Sequence, residues 1–425
     1  MKEFDDIIGY DSIKLELKRV CDMVRNPEKY EKLGVKMPKG IMLYGPPGVG
    51  KSLFAKAFID ACGTQYFICR KNQPNGDFVK LIKEIFEEAR NNTPSIVFLD
   101  DMDKFANQDD KHKNAEEFIT IQSCIDENRD KAILVFATAN DLSLVPESLM
   151  RTGRFDISIN VKKPKGTDAV KIVKHYLSQK KYVANIDAEE IAKILNGMSC
   201  AELESIINQA GIYAGYANKE QIEFYDIIKA CKRAVYDAPE TIKSQDKETS
   251  EYTFYHEAGH ALISEILEPG SVTLISAENY DGSVGGFTSY YRLDNYWDSY
   301  ELMENRVCVL LGGKAATEIV FGEVDVGCFT DLQRAFGVVN RFVAEYGSTG
   351  FINCSQRPNY DLSDQIKFQQ DSVVALEMAR YYKKTKEILI KHRKLLEAIV
   401  KEIKDKKTLL GSDIQRIKKK IKEEV

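Results

Sequence analysis

The sequence predicts two architectures in series: an α/β region built on a parallel sheet, then a mostly α-helical region. Three observations predict this. Up to about residue 165, short apolar runs alternate with helical periodicity, and strand signals thin out afterwards. A GxxxxGKS segment, Gly45 to Ser52, lies directly between an apolar run and an amphipathic stretch. Much later, His256 and His260 stand four apart in Thr253 to Leu262, so that a helix would present both from one face.

Bulk properties narrow the field. A formal net charge of −5 gives no footprint for nucleic acid. No apolar run approaches 18 residues and no charged-then-apolar leader follows Met1, so no membrane span and a cytoplasmic location are expected. Nine cysteines, an odd number without a CxxC pair, read as scattered thiols of a reducing compartment.

In chain order, residues 5 to 24 carry Ile13, Leu17, Val20 and Val24 at helical spacing, and Asn26-Pro27 ends the pattern. Gly40 to Tyr44 is an apolar run, and Gly45-Pro46-Pro47-Gly48-Val49-Gly50-Lys51-Ser52 follows it before a helical stretch, Leu53 to Ala61. That context is what a phosphate-binding loop needs: glycines let backbone N–H groups wrap phosphates and the helix dipole favours the anion. Lys51 would reach the β- and γ-phosphates of ATP, and Ser52 would ligate Mg²⁺. Further strands are expected at Tyr66 to Cys69, Ser95 to Leu99, Ala132 to Ala137 and Asp156 to Val161. The third of these runs, after Gly40 to Tyr44 and Tyr66 to Cys69, ends in Asp100-Asp101, carboxylates placed to hold that Mg²⁺. Residues 167 to 236 show helical periodicity only, and Tyr236 to Ser250, with Pro239 and a charged run, reads as a linker. Val272 to Ser276 and Gly286 to Tyr291 are expected strands; from Asp298 onward the chain reads as mostly helix, its Lys/Glu-rich tail a solvated face. The expected domains are therefore 1–165, a nucleotide-binding α/β domain; 166–236, a helical lid; 237–250, a linker; and 251–425, a metal-binding helical domain.

His256-Glu257-Ala258-Gly259-His260 has the HExxH form, in which two imidazoles bind one Zn²⁺ and the glutamate takes a proton from a water on that ion. A catalytic zinc takes a third protein ligand, and spacing leaves Glu265, Glu318 and Asp331 open. Glu265 lies about 140° around the helix from His260, which disfavours it. Glu318 lies in a helical run and would be a ligand or a partner of one. Asp331 follows Thr330, which reads as an N-cap, placing its carboxylate in a first helical turn.

These segments together resemble the FtsH-type AAA+ zinc metalloprotease family, from Phe4 nearly to the C-terminus. The matching stretches are Phe4-Asp5-Asp6-Ile7-Ile8-Gly9, Pro38-Lys39-Gly40 with GPPGVGKS, Arg151-Thr152-Gly153-Arg154-Phe155-Asp156, HEAGHAL, Gly312 to Gly322, and Thr330-Asp331-Leu332. The resemblance implies a P-loop AAA+ sheet domain with a helical lid, then a mostly α-helical zinc peptidase domain. It implies a homohexameric ring in which ATP hydrolysis delivers polypeptide substrates to the zinc site. By the same resemblance Asn140 senses the γ-phosphate, Arg151 and Arg154 reach the neighbouring subunit's nucleotide, and Asp331 is the third zinc ligand. The segment Gly285-Gly286-Phe287 to Tyr290 lies where the family presents a strand edge to substrate.

The chain departs from the family in three places. Asp101 stands where the family has glutamate, one methylene (about 1.5 Å) short of the position that orients the attacking water. Misplacement on that scale can cost on the order of a hundredfold in rate. The alternative expectation is thus a nucleotide-gated peptidase or regulator with slow ATP turnover; a remodeller without proteolysis is the remaining one. The family's pore loop, an aromatic-Val-Gly, aligns either with Phe78-Val79-Lys80 or with Pro74-Asn75-Gly76, leaving Phe78 a pore or a helix-core residue. Relatives carry a membrane anchor ahead of the ATPase, which would put this chain at the cytoplasmic face of a membrane if it is a truncated form.

Overall fold

Five short, β-branched or aromatic runs build the first sheet: β1 (Gly40–Tyr44), β2 (Gln65–Cys69), β3 (Ser95–Leu99), β4 (Ile133–Ala139) and β5 (Ile157–Asn160). In the computed structural model they pair in parallel in the order β2-β3-β4-β1-β5. The residues described are 4–71, 75–105, 116–182, 186–236, 250–278, 286–291, 299–323, 326–348, 350 and 362–423. The chain divides into two compact units, Met1–Cys231 and Lys232–Val425.

In the first unit β3 and β4 are buried along their whole length, as strands covered on both faces must be. One face is covered by α3 (Lys51–Cys62), which packs in turn against α1 (Asp11–Arg25), with the short α2 (Pro27–Glu31) between them in the chain; Phe58 of α3 meets Phe136 of β4 at 5.0 Å between ring centres. The other face takes α4 (Asn75–Asn91) and α5 (Glu116–Glu127), whose Phe78, Ile82, Phe86, Ile121 and Ile125 pack on Val97, Leu99 and Val135. Four helices follow: α6 (Gly166–Ser178), α7 (Ala188–Ile194), α8 (Cys200–Tyr216) and α9 (Phe224–Tyr236). Ser199 caps α8 in a reciprocal box with Glu202. The first helix begins at Asp11 rather than near residue 5, since Gly9 and Tyr10 take left-handed backbone conformations.

Phe78 lies in α4, fully buried, with its ring edge-on to Phe105 at 5.0 Å. Of the two expectations for this aromatic, the core position is the one observed. In the competing alignment, Pro74 lies outside the described residues and Gly76 falls inside α4. Of the expected linker, residues 237–249 also lie outside them.

The second unit forms around α10 (Glu251–Leu267), capped by Ser250 and buried continuously from His256 to Glu265. A helix apolar on every side belongs at the centre of a core. It is surrounded by α11 (Tyr300–Phe321), α12 (Phe329–Ala344), α13 (Asp364–Lys391), α14 (Arg393–Lys406) and α15 (Gly411–Glu423). A small antiparallel sheet, in the order β7-β6-β8, lies beside it: β6 (Val272–Ser276), β7 (Phe287–Tyr290) and β8 (Thr408–Leu410). Strand β8 interrupts the expected C-terminal helix. Its three residues carry no periodic signal, and pairing with β6 creates it. The Lys/Glu-rich tail is not only a solvated face, since Leu395, Leu396, Ile399, Val400 and Ile403 of α14 are core residues. No helix among the described residues is long and apolar enough to cross a membrane.

The burial of Phe78 predicts that Phe78→Ala lowers the unfolding free energy by about 3–5 kcal/mol. Guanidinium titration followed by circular dichroism checks this, and a loss under about 1 kcal/mol, the level of ordinary surface changes, would contradict it.

Candidate active sites

The first site lies at the C-terminal ends of β1, β3 and β4, outside a point where strand order reverses, which is where open parallel sheets place ligands. The Gly45–Ser52 loop leaves β1 and runs into α3. The Lys51 ammonium is buried and donates to the carbonyls of Gly45 (2.7 Å) and Pro46 (2.9 Å) and to Asn140 Oδ1 (2.9 Å). Burial pulls its pKa down, against the pull of Asp101, Asp103 and Asp100 in the other direction. All three of its protons are held by neutral acceptors, so the charge itself is available to an anion. Asp100 accepts from Ser52 Oγ at 3.1 Å and from Thr138 Oγ1 at 2.8 Å, so the hydroxyl and carboxylate that would share Mg²⁺ are already adjacent. A pocket of about 410 Å³ opens beside the loop, lined by Ile8, Tyr10, Val49, Phe54, Ile172 and Cys200 among others. Its size and mixed lining suit a nucleoside.

Thr138 and Arg70, which also touches Asp100, did not stand out in the sequence. Parallel register could have found both: Thr138 sits one residue before the end of β4, and Arg70 directly follows β2. Asp101 takes a left-handed conformation with φ of 53°. Its backbone N–H donates to Thr138 Oγ1, and its carboxylate pairs with Lys104 at 2.6 Å. The two arginines differ. Arg151 is exposed, whereas Arg154 donates from its guanidinium to both oxygens of Asp126 (3.1 and 2.7 Å) and to the Ser148 carbonyl.

The second site is built on α10. His256 Nε2 and His260 Nε2 stand 3.0 Å apart, and Asp331 Oδ2 lies 3.4 and 3.1 Å from them. His260 Nδ1 lies 2.7 Å from the carbonyl of Val309, which can only accept, so Nδ1 carries the proton and Nε2 offers a lone pair. The buried Nδ1 of His256 has no hydrogen-bond partner. Two ring nitrogens and a carboxylate oxygen thus converge within 4.8 Å, an arrangement that could hold a metal ion. The donor set, two imidazoles and one carboxylate, fits zinc with an open position.

The Asp331 carboxylate favours positive charge at the imidazoles. Burial lowers the affinity of His260 for a proton, yet Asp331 outweighs it and the net pKa is raised. Burial would raise the pKa of Asp331, but the two imidazoles hold its carboxyl well below the usual range. Glu257, wholly buried, is pushed up by desolvation, against the nearby histidines and a 2.7 Å hydrogen bond from Thr288 Oγ1. Thr288, on β7, is a residue that sequence reasoning missed; its place on an expected strand was visible, its pairing with β6 and its reach to Glu257 were not.

The metal set depends on how closely α10 and α11 approach. A Cβ on Gly259 would meet the Gly312 carbonyl at 2.5 Å, and one on Gly313 would lie 2.6 Å from the His256 ring. Of the other acids considered for the third ligand, Glu265 points away and binds Lys418 and Gln415. Glu318 is held by Lys314, Lys386 and Tyr382. Thr330 is not the N-cap: α12 starts at Phe329 with Cys328 at the cap position and no side-chain cap. Asp331 nevertheless falls in the first turn, where its carboxylate meets the imidazoles. Gly313→Ala should therefore weaken zinc binding at least about tenfold while leaving helical content intact, the scale of losing a residue that orients a ligand. Chelator competition measures this, and unchanged affinity would contradict the crowding.

Comparison with known proteins covers both sites. Residues 41–163 match the model of the ATPase family associated with various cellular activities, and residues 243–417 match that of peptidase family M41. The chain is 28% identical to the ATP-dependent zinc metalloprotease FtsH of Rubrobacter xylanophilus, over 97% of this chain and 68% of that protein. For the protein of the same name in Bacillus subtilis the identity is 29%, over 98% and 69%. ATP-dependent zinc metalloprotease FtsH 2 of Symbiobacterium thermophilum is 30% identical, over 97% of this chain and 74% of its own. With both family models matched in order and relatives aligned along nearly its whole length, this chain belongs to the FtsH family of ATP-dependent zinc metalloproteases.

Proposed function

We infer that the chain is an ATP-dependent zinc endopeptidase acting on polypeptides. The observation that carries this is the convergence of His256, His260 and Asp331 beside a buried glutamate, on a chain that also holds a phosphate-binding loop. When bound, zinc would polarise a peptide carbonyl and lower the pKa of water at the open position. Glu257, held by Thr288, would take the proton from that water and return it to the leaving amine. Among the described residues β7 is an edge strand, and its Thr288 Oγ1 also lies 3.2 Å from the Glu257 backbone carbonyl, its one proton shared between the two oxygens, so an extended substrate pairing there would lie along the acid. Gly285, at the start of that expected edge, lies outside the described residues.

In the first site Lys51 and the Gly45–Gly50 backbone would hold the phosphates of ATP, and Ser52 with Asp100 would hold Mg²⁺. Asn140, bonded to Lys51, would register the γ-phosphate. A homohexameric ring is part of this reading. The exposed Arg151 is free to serve a neighbouring subunit's nucleotide, while Arg154 would first have to leave Asp126. A domain division at 1–165, 166–236, 237–250 and 251–425 and a cytoplasmic setting belong to the same reading.

A second reading, slow ATP turnover, is favoured by Asp101, whose short carboxylate is also engaged by Lys104. Glu257→Gln should lower degradation of an unfolded casein-type substrate by about 10²–10⁴-fold with ATPase activity and zinc content retained. Undiminished degradation would refute the role of Glu257. Asp101→Glu should raise the steady-state ATPase rate on the order of a hundredfold if the shorter acid limits turnover. A brisk wild-type rate that the substitution leaves unchanged removes the second reading.

A further inference from the structure

We propose that Arg70 acts as a built-in stand-in for the divalent cation at the nucleotide site, and so sets how much Mg²⁺ the site requires. This rests on the reading that the Gly45–Ser52 loop binds a Mg²⁺–nucleotide. Register brings the residue there: Cys69 pairs level with Leu99, and the Asp100 N–H donates to the Cys69 carbonyl at 3.1 Å. Arg70 and Asp100 therefore leave the sheet side by side. The adjacent Lys71 is anchored to the buried carboxylate of Glu117 at 3.3 Å, which fixes the end of the strand.

The Asp100 carboxylate is fully occupied. Arg70 donates to Oδ2 from Nε at 2.8 Å and from a terminal guanidinium nitrogen at 2.8 Å. Ser52 and Thr138 donate their hydroxyls to Oδ1. Four donors on one carboxylate use all of its lone-pair positions. A divalent cation sharing Asp100 with Ser52 would take the place of the Ser52 proton on Oδ1 and would repel a guanidinium held against Oδ2 of the same carboxylate. Thr138 is fully buried and Ser52 belongs to the cation's own set. Arg70 is the donor that can leave: its side chain is 61% exposed, on a long stem, while Asp100 is only 9% exposed. In the nucleotide-free chain Arg70 neutralises a nearly buried acid beside the phosphate site. On entry of Mg²⁺ the guanidinium swings towards solvent or the phosphates, and its lost ion pair is subtracted from the affinity for the metal.

The test uses the full chain and a fluorescent ADP analogue, titrated with Mg²⁺ from an EDTA-buffered start, for wild type, Arg70→Ala, Arg70→Gln and Arg70→Lys. The half-saturating Mg²⁺ concentration should fall about three- to fivefold in the Ala and Gln variants, the scale of a pair with one exposed partner. The Lys variant, which keeps the charge, should stay near wild type. In EDTA the neutral variants should bind the analogue more weakly than wild type, because Asp100 then faces the phosphates uncompensated. General damage to the site would weaken binding in both conditions and leave the Mg²⁺ midpoint in place. Equal midpoints, or a higher Mg²⁺ requirement without Arg70, overturn the proposal. Failure of the wild type to bind the analogue at any Mg²⁺ concentration would instead remove the nucleotide-site reading, and the proposal with it.

Discussion

Three acceptor atoms aimed at one point organise the second unit of this protein. His256 Nε2, His260 Nε2 and Asp331 Oδ2 would repel one another if left bare, and the Val309 carbonyl keeps the proton of His260 on the far side of its ring. The chain accepts that unfavourable convergence because the elements around it leave no alternative. Gly259 and Gly312 let α10 and α11 touch backbone to backbone, Gly313 makes room for the His256 ring, and the first turn of α12 delivers Asp331. Each device gives up something locally, such as helix propensity at the glycines. Local costs concentrated around polar groups are a mark of a working site rather than of a scaffold.

The first unit solves a different problem, holding charge steady before the ligand arrives. Lys51 is satisfied by two carbonyls and Asn140, and Asp100 by two hydroxyls and a guanidinium. Each charge therefore already has the coordination it will exchange for phosphate or metal, which limits rearrangement on binding. Asp101 is the exception in this group. Its left-handed backbone and its ion pair with Lys104 give the acid a fixed place, but a place reached with one methylene fewer than a glutamate has.

Much of this was legible in the sequence, for identifiable reasons. Strands β1, β3 and β4 appear as apolar runs because a parallel sheet buries both their faces, and His256 and His260 announce themselves through helical spacing. The third ligand was not legible from residues alone. Asp331 lies 71 residues from His260, and nothing local separates it from Glu318, whose partners Lys314, Lys386 and Tyr382 come partly from a distant helix. Resemblance to a family made that choice, and the geometry brings Asp331 to the imidazoles. Strand β8 carries no pattern of its own, and the Thr288 bond to Glu257 and the Arg70 pair with Asp100 join segments that are legible singly, through side-chain contacts that only the fold makes.

Zinc-edge X-ray absorption on the purified chain, beside His260→Ala, reads whether one zinc ion is held by two imidazoles and one carboxylate. The expected spectrum shows nitrogen and oxygen ligands only, at about 2.0–2.2 Å, with two imidazoles in the wild type and a lost or altered ligand set in the variant. A sulfur contribution at about 2.3 Å, or a spectrum that His260→Ala leaves unchanged, would contradict it.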